Sequence, residues 1–381
     1  MNCKYFFKDN GPIILSFLLI ITLLILPTGF EQKQTYQNAD RVKARVISTD
    51  NSDIVDNGLI RTGEQKCNIK ILEGKFKGTK ATAINRLNGS LSQDKIFESG
   101  DKAFVVISHN KNVLSSITMI DHFRLEKEIV LISLFILFLI IFAGKTGIRA
   151  VLSFITTILL IWKVLVPCML KGINPLWISM GIVLAMTMIS LSLIYGFDRR
   201  CLASSLGVFL GIIVTATFGI IFTKVLKIHG AVMESSESLL YAGFQHLNLT
   251  QIFMASIFLG SAGAIMDLSV DICSAIYEIL QKNNDISRYE LIKSGFAIGK
   301  AACGSTTTTL LLAYSGSYIT LLMVFMAQGT PIEFIFNYKY VAAEIIHTII
   351  GSFGLITVAP LTAITSGFLL TKNKKLLSNL S

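Results

Sequence analysis

Residues 256–278, SIFLGSAGAIMDLSVDICSAIYE, read as one helix sunk in a membrane. Ser256, Gly260, Gly263, Asp267, Asp271, Ser274 and Glu278 recur at spacings of three and four, which holds small and polar residues on one narrow stripe. Acidic side chains at bilayer depth are costly unless a partner or water meets them. The expectation is that neighbouring helices cover this stripe.

Composition supports a bilayer setting. Hydrophobic residues make up 52% of the chain and charged residues 15%, against about 25% charged in soluble domains. The 381 residues leave room for several spans and one small extra domain. Net charge is +10, but no basic cluster lies on a soluble face, so nucleic acid is not an expected partner. Four of the cysteines, Cys168, Cys201, Cys273 and Cys303, lie in or near apolar runs, and Cys3 precedes the first of them. Cys67 stands alone in the polar segment. No CxxC or Cys/His spacing points to zinc, so no metal and no cofactor is expected and the thiols read as structural.

Along the chain, Lys4 and Lys8 precede an apolar run at 11–26, followed by LPTGFEQ, which offers no small-residue cleavage site. The segment 1–30 therefore reads as an uncleaved anchor. Residues 40–124 differ in kind. Val42-Lys43-Ala44-Arg45-Val46 and Cys67-Asn68-Ile69-Lys70-Ile71 alternate, and glycine turns follow at Gly74, Gly78, Gly89 and Gly100. About five short strands in a small all-β domain, barrel or sandwich, are expected there. A structural cap over the spans is its plainer role, and a ligand sensor the sharper one.

Further apolar runs lie at 129–143, 150–167, 175–196, 202–223, 249–272, 295–327 and 341–370. With the anchor they give an all-α polytopic bundle of about eight spans, since a bilayer needs roughly 20 residues per helix. The multi-span region is 127–371 and the tail 372–381. Lys145, Arg149, Arg199, Arg200, Lys282, Arg288, Lys293 and the tail lysines Lys372, Lys374 and Lys375 all fall on the side of Lys4, as the positive-inside rule asks. The loop after Glu234 reads either as a capped surface helix or as a plain connector. The run 295–327 is too long, about 50 Å as a helix, so it is either steeply tilted or broken near Ser315-Gly316-Ser317.

Three polar constellations follow. Asp267 and Asp271 lie toward one end of their helix and read as a cation or proton site, or as the wet end of a helix leaving the membrane. Gly295-Phe-Ala-Ile-Gly299 is a GxxxG pattern that lets helices approach, as Gly260 and Gly263 also do. Lys300 follows at a depth similar to the aspartates, so an ion pair is expected, with snorkelling as the alternative. Thr307 sits within Ser305–Thr309, whose hydroxyls either satisfy their own helix or line a path. On the last span Glu344, Thr348, Gly351, Thr362 and Ser366 share a face, with His347 beside Glu344. Gly144-Lys145-Thr146 ends like a phosphate loop, but Leu139 stands where the first glycine belongs. No Ser/His/Asp or HExxH arrangement appears, so no catalytic residue and no enzyme is expected.

Several of these residues carry a family resemblance. They are 260–274 (GSAGAIMDLSVDICS), Tyr277-Glu278, the LIKSG at 291–295 and the TLLLAY at 309–314. Ile71-Leu72-Glu73-Gly74, Gly78, Asn85, Gly100-Asp101, Phe123-Arg124, the GKTG at 144–147 and the APLTA at 359–363 also fit. Together they resemble the YibE/F-like bacterial membrane proteins. The resemblance implies a multi-pass protein of the bacterial cytoplasmic membrane and carries over no site residue. The reading is a permease for a small solute or ion, with the lipid bilayer as its partner, cytoplasmic termini and a homo-oligomer left open. The rival is a non-transporting assembly or signalling platform acting through the β-domain.

Overall fold

A computed structural model describes residues 3–31, 39–110, 113–283 and 285–377. The side chains of Lys4, Lys8, Lys372, Lys374 and Lys375, and residues 378–381, lie outside the described residues. The chain divides into two units, 31–141 and 1–30 with 142–381.

The first unit is built on five strands: β1 (Ala39–Asp56), β2 (Arg61–Ile71), β3 (Lys80–Asn88), β4 (Lys102–Asn110) and β5 (Val113–His122). They close into a barrel in the order β1-β2-β3-β5-β4, with β3 and β5 parallel and the other pairs antiparallel. The expected domain is a barrel, not a sandwich. Period-two alternation sets the inside: Cys67, Ile69 and Ile71 are fully buried while Lys66, Asn68 and Lys70 face out. Strand β1 is longer than expected and bends at bulges near Val46 and Asp50, which lets one strand pair on both sides. Gly74 (φ 78°) and Gly89 (φ 80°) adopt the left-handed conformation their turns require.

Phe97, 1% exposed, plugs the barrel, and Gln65 holds it there. The Gln65 Oε1 accepts from Phe97 N (3.0 Å) and Asn85 Nδ2 (3.1 Å), and its Nε2 donates to Phe97 O (2.9 Å). At the barrel rim Asp94 accepts from the backbone N–H of Asn88 (3.0 Å) and Ser90 (2.9 Å). These donors hold its carboxyl below the usual aspartate range. Below the barrel, Glu126 at the start of the next helix pairs with Lys102 (2.6 Å) and with Lys43.

The helices are α1 (Cys3–Ile25), α2 (Leu125–Leu160), α3 (Val166–Leu170), α4 (Pro175–Tyr195), α5 (Arg199–Val225), α6 (Ser236–Tyr241), α7 (Leu249–Lys282), α8 (Arg288–Ser315), α9 (Ile319–Ala327), α10 (Ile332–Asn337) and α11 (Lys339–Leu377). Side-chain caps mark several starts. Asn174, Asp198 and Asn248 accept from the first turns of α4, α5 and α7, and Ser287 and Glu290 form a reciprocal capping box on α8. Gly144 (φ 56°, ψ −126°) breaks α2 between the two apolar runs expected there. A π-turn, Ile161–Leu165, joins α2 to α3, and inside it Lys163 donates to Leu26 O (3.0 Å).

Among the described residues, five helical stretches are long and apolar enough to cross a membrane, and six if α8 and α9 count as one bent span. The bend between α8 and α9 is 67°. The run 295–327 is therefore broken, where a tilted helix was the alternative. The loop after Glu234 holds only the six-residue helix α6, with no side-chain cap at Ser235, so the connector reading is the nearer one.

Small residues set the packing of α5, α7, α8 and α11. A Cβ at Gly295 would lie 2.8 Å from that of Ala363, and one at Gly299 would lie 2.9 Å from that of Ala359. Gly351 sits on Ser261, Gly354 on Thr215 and Ile265, and Gly207 on Thr362. Ser269 donates to Ser204 O (3.1 Å) and shares a hydrogen bond with Thr362 Oγ1 (2.9 Å). In lipid such contacts, not water exclusion, hold helices together.

Three outcomes are expected. Gln65→Leu leaves the Phe97 peptide unpaired in the barrel core and lowers stability by about 1–3 kcal/mol in chemical denaturation. Gly295→Leu overpacks the α8–α11 contact and costs about 1–3 kcal/mol in detergent, while the exposed Leu312→Ala is near neutral. Asp94, with its folded pKa depressed, stabilises the barrel fully above the unfolded value of about 3.9 and less as pH falls through the folded value. The Asn88 and Ser90 amide shifts will report that titration by NMR, and Asp94→Asn will abolish it.

Candidate functional site

Asp267, Asp271 and Lys300 do not converge. All three are exposed on the single chain, and among the described residues none of them makes an ion pair. This corrects the expected pairing and the expected covering of the acidic stripe. The buried face of α7 is the opposite one, with Ile257, Ser261, Ile265, Leu268, Ser269, Ile272 and Ile276. Ser261 and Ser269 allow close approach there, and the isoleucines fill the gaps between helices, so the acidic face is left outermost. Glu278 pairs with Lys282, one turn on (2.6 Å).

Thr307 donates to Cys303 O (2.8 Å), and Thr306, Thr308 and Thr309 likewise donate one turn back. These hydroxyls satisfy their own helix. Gly260, Gly295 and Gly299 face neighbouring helices, whereas nothing lies within 4 Å of a Cβ at Gly263. The stripe on the last span is the buried one: Thr348, Thr362 and Ser366 are at most 6% exposed.

The polar groups that do meet are at the other end of the bundle, where α7 and α11 begin and α8 ends. Ser256 Oγ donates to Phe253 O (2.8 Å), so its single proton is committed. His347 Nε2 lies 3.3 Å from the same oxygen, and with the Ser256 proton on Phe253 O the ring nitrogen is the donor in this pair. The imidazole stacks on Tyr314 at 4.9 Å with an interplanar angle of 14°, and tilts against Phe253 at 5.8 Å. The Tyr314 hydroxyl lies where a side chain on Gly260 would stand, so the absence of one makes room for the phenol.

Glu344, one turn before His347 on α11, completes the group. Its Oε1 is buried and, among the described residues, without a hydrogen-bond partner. It is the acidic neighbour of both Tyr314 and Tyr318. Tyr318 belongs to the turn Gly316–Tyr318 that separates α8 from α9. A cavity of about 600 Å³ opens beside it, lined by Glu234, Glu237, Tyr318 and Tyr340 among others. The arrangement is a half-buried carboxylate with one inaccessible oxygen, beside the phenols of Tyr314 and Tyr318 and one turn from an imidazole on the same helix, next to a helix break. It can bind a cation or hand a proton between oxygen and nitrogen atoms. No group of three or more His, Cys, Asp or Glu among the described residues is set to hold a metal ion.

Glu344 and His347 were visible in the sequence as ionisable residues in an apolar run. Tyr318 and Tyr340 were missed, because an aromatic near a span end is ordinary on its own. The overlong run was the one signal that pointed to Tyr318.

With this geometry in hand, comparison with known proteins gives a consistent picture. The family described as YibE/F-like protein matches residues 131–372, and the YibE/F family N-terminal domain matches residues 34–122. No curated protein and no solved structure matches the chain. The two matches cover the helical region and the barrel, and the chain belongs to the YibE/F-like family of membrane proteins.

Proposed function

We propose that this protein is a permease-like transporter that moves a small solute or ion, a cation by preference, across the bacterial cytoplasmic membrane. The observation that carries the reading is the 67° break between α8 and α9 beside the unpartnered Glu344 carboxylate oxygen. A broken helix frees backbone groups near its end, and an adjacent half-buried acid supplies charge for a partly desolvated cation. The Glu234 and Glu237 carboxylates at the cavity mouth raise the local cation concentration.

The reading counts eight spans. It takes the short apolar helix Asn10–Ile25 as an anchor and the two sides of Gly144 as separate crossings. Both termini are then cytoplasmic, the barrel is extracytoplasmic, and the Glu344 group opens outward. The inner-side concentration of Lys and Arg supports that direction. Neither enzymatic chemistry nor nucleic-acid binding is part of the proposal.

A second reading, an assembly platform working through the barrel, has one observation in its favour. Leu59 (84% exposed) and Leu91 (79% exposed) stand out from a cavity of about 320 Å³ at the barrel rim. Flux of monovalent and divalent cations into proteoliposomes separates the two. Transport by the full chain, cut about tenfold or more by Glu344→Gln and by His347→Phe, supports the permease. No flux of any cation tested, or flux indifferent to Glu344→Gln, contradicts it.

A further inference from the structure

Two helices leave unfinished faces on the same level of the bundle. On α7, Gly263, Asp267 and Asp271 are exposed. On α8, Lys300 and Gly304 are exposed. Gly299 packs at Ile272, with a Cβ there 3.2 Å from Ile272 Cδ1, and this contact sets Lys300 at the height of Asp271. The remaining glycines of α7 and α8, at 260, 295 and 299, are filled by neighbours, but a Cβ on Gly263 or Gly304 meets nothing within 4 Å. Each face thus joins a small residue that permits close helix approach to a charge with no partner among the described residues. Asp267 lies about 27 Å along a helix that begins at Leu249, inside the roughly 30 Å of hydrocarbon. Lipid offers Asp267 neither hydrogen bonds nor counter-charge, while Asp271 and Lys300, about 33 Å along by the same rise, lie at the edge of that layer.

Compensation from within the chain is limited. Lys163, the other cation deep in an apolar run, is already engaged with Leu26 O. The apolar residues 129–142 carry no charge at all.

We infer that a second copy of this chain covers these faces. The Gly263–Asp267–Asp271 side of α7 in one copy packs on the Lys300–Gly304 side of α8 in the other. Copies in a membrane are related by rotation about its normal, so equal depth within one chain becomes equal depth across the contact. The acidic side chains of one copy then meet the ammonium of the next, and the two open glycines let the backbones approach. The inference stands on these faces alone and does not depend on the transport reading.

The test uses the full chain in bilayers. Two differently tagged copies lacking the native cysteines are co-expressed, one carrying Asp271→Cys and the other Lys300→Cys, and oxidised in the membrane. A cross-link joining the two tags is expected, absent when either substituted copy is paired with the unsubstituted chain. Reversal of the acidic face (Asp267→Lys with Asp271→Lys) should lower the paired fraction in single-molecule photobleaching about tenfold or more, and Lys300→Asp in the other copy should restore it. Absence of the cross-link overturns the inference, whether photobleaching counts one copy or two joined elsewhere. A paired fraction that charge reversal leaves unchanged overturns it equally.

Discussion

Close approach of helix backbones at the small residues of α11 is the contact on which the helical unit depends. Gly351, Gly354, Ala359, Ala363 and Gly367 let α5, α7 and α8 lie against one helix. With lipid on the outside, burial of apolar side chains gives little net drive, and tight packing with a few interhelical hydrogen bonds must do the work. Ser269 and Thr365 supply such bonds, to Ser204 and Thr362 in one case and to Ala203 in the other. Once those faces are fixed, the rest of each helix is assigned by default. The acidic stripe of α7 turns outward, and the third turns of α7 and α11 bring Ser256 and His347 together.

That assignment separates two kinds of polar residue. Ser256, Tyr314, Glu344 and His347 are held by contacts within one chain, at a point where α8 stops being helical. Asp267, Asp271 and Lys300 have no such contacts. The first group has the features of a site: defined donors, a stacked ring pair and one buried oxygen left over. The second has the features of a surface awaiting cover. The second lies on two of the three helices that carry the first, so a change at either is transmitted through the same small-residue packing.

Much of this was legible in the sequence, for identifiable reasons. The small β-domain was, because β2 alternates strictly and its turns are written in glycine, although closure into a barrel was not. The helical region was, because apolar runs of that length match the thickness of a bilayer and little else. The break after Ser315 was legible as excess length. The facing of α7 was not. In a soluble helix the polar side is the outer one, but in a membrane helix polar and small residues are as often turned inward, so periodicity finds the stripe without giving its direction. Gly144 was legible only as a connector, since φ is not written in composition. Composition left Thr307 either satisfying its own helix or lining a path, and its proton goes to Cys303, the ordinary fate of a hydroxyl in an apolar helix.

The central claim is that the route into the bundle runs through the α8–α9 break to Ser256 and Glu344. Thiol accessibility in sealed membrane vesicles measures this most directly, with single cysteines at positions 340, 318, 256 and 261 and a membrane-impermeant reagent. The account predicts fast labelling at 340 and 318, slower but complete labelling at 256, and none at 261, which is buried against Gly351. Labelling at 256 no faster than at 261 would contradict it.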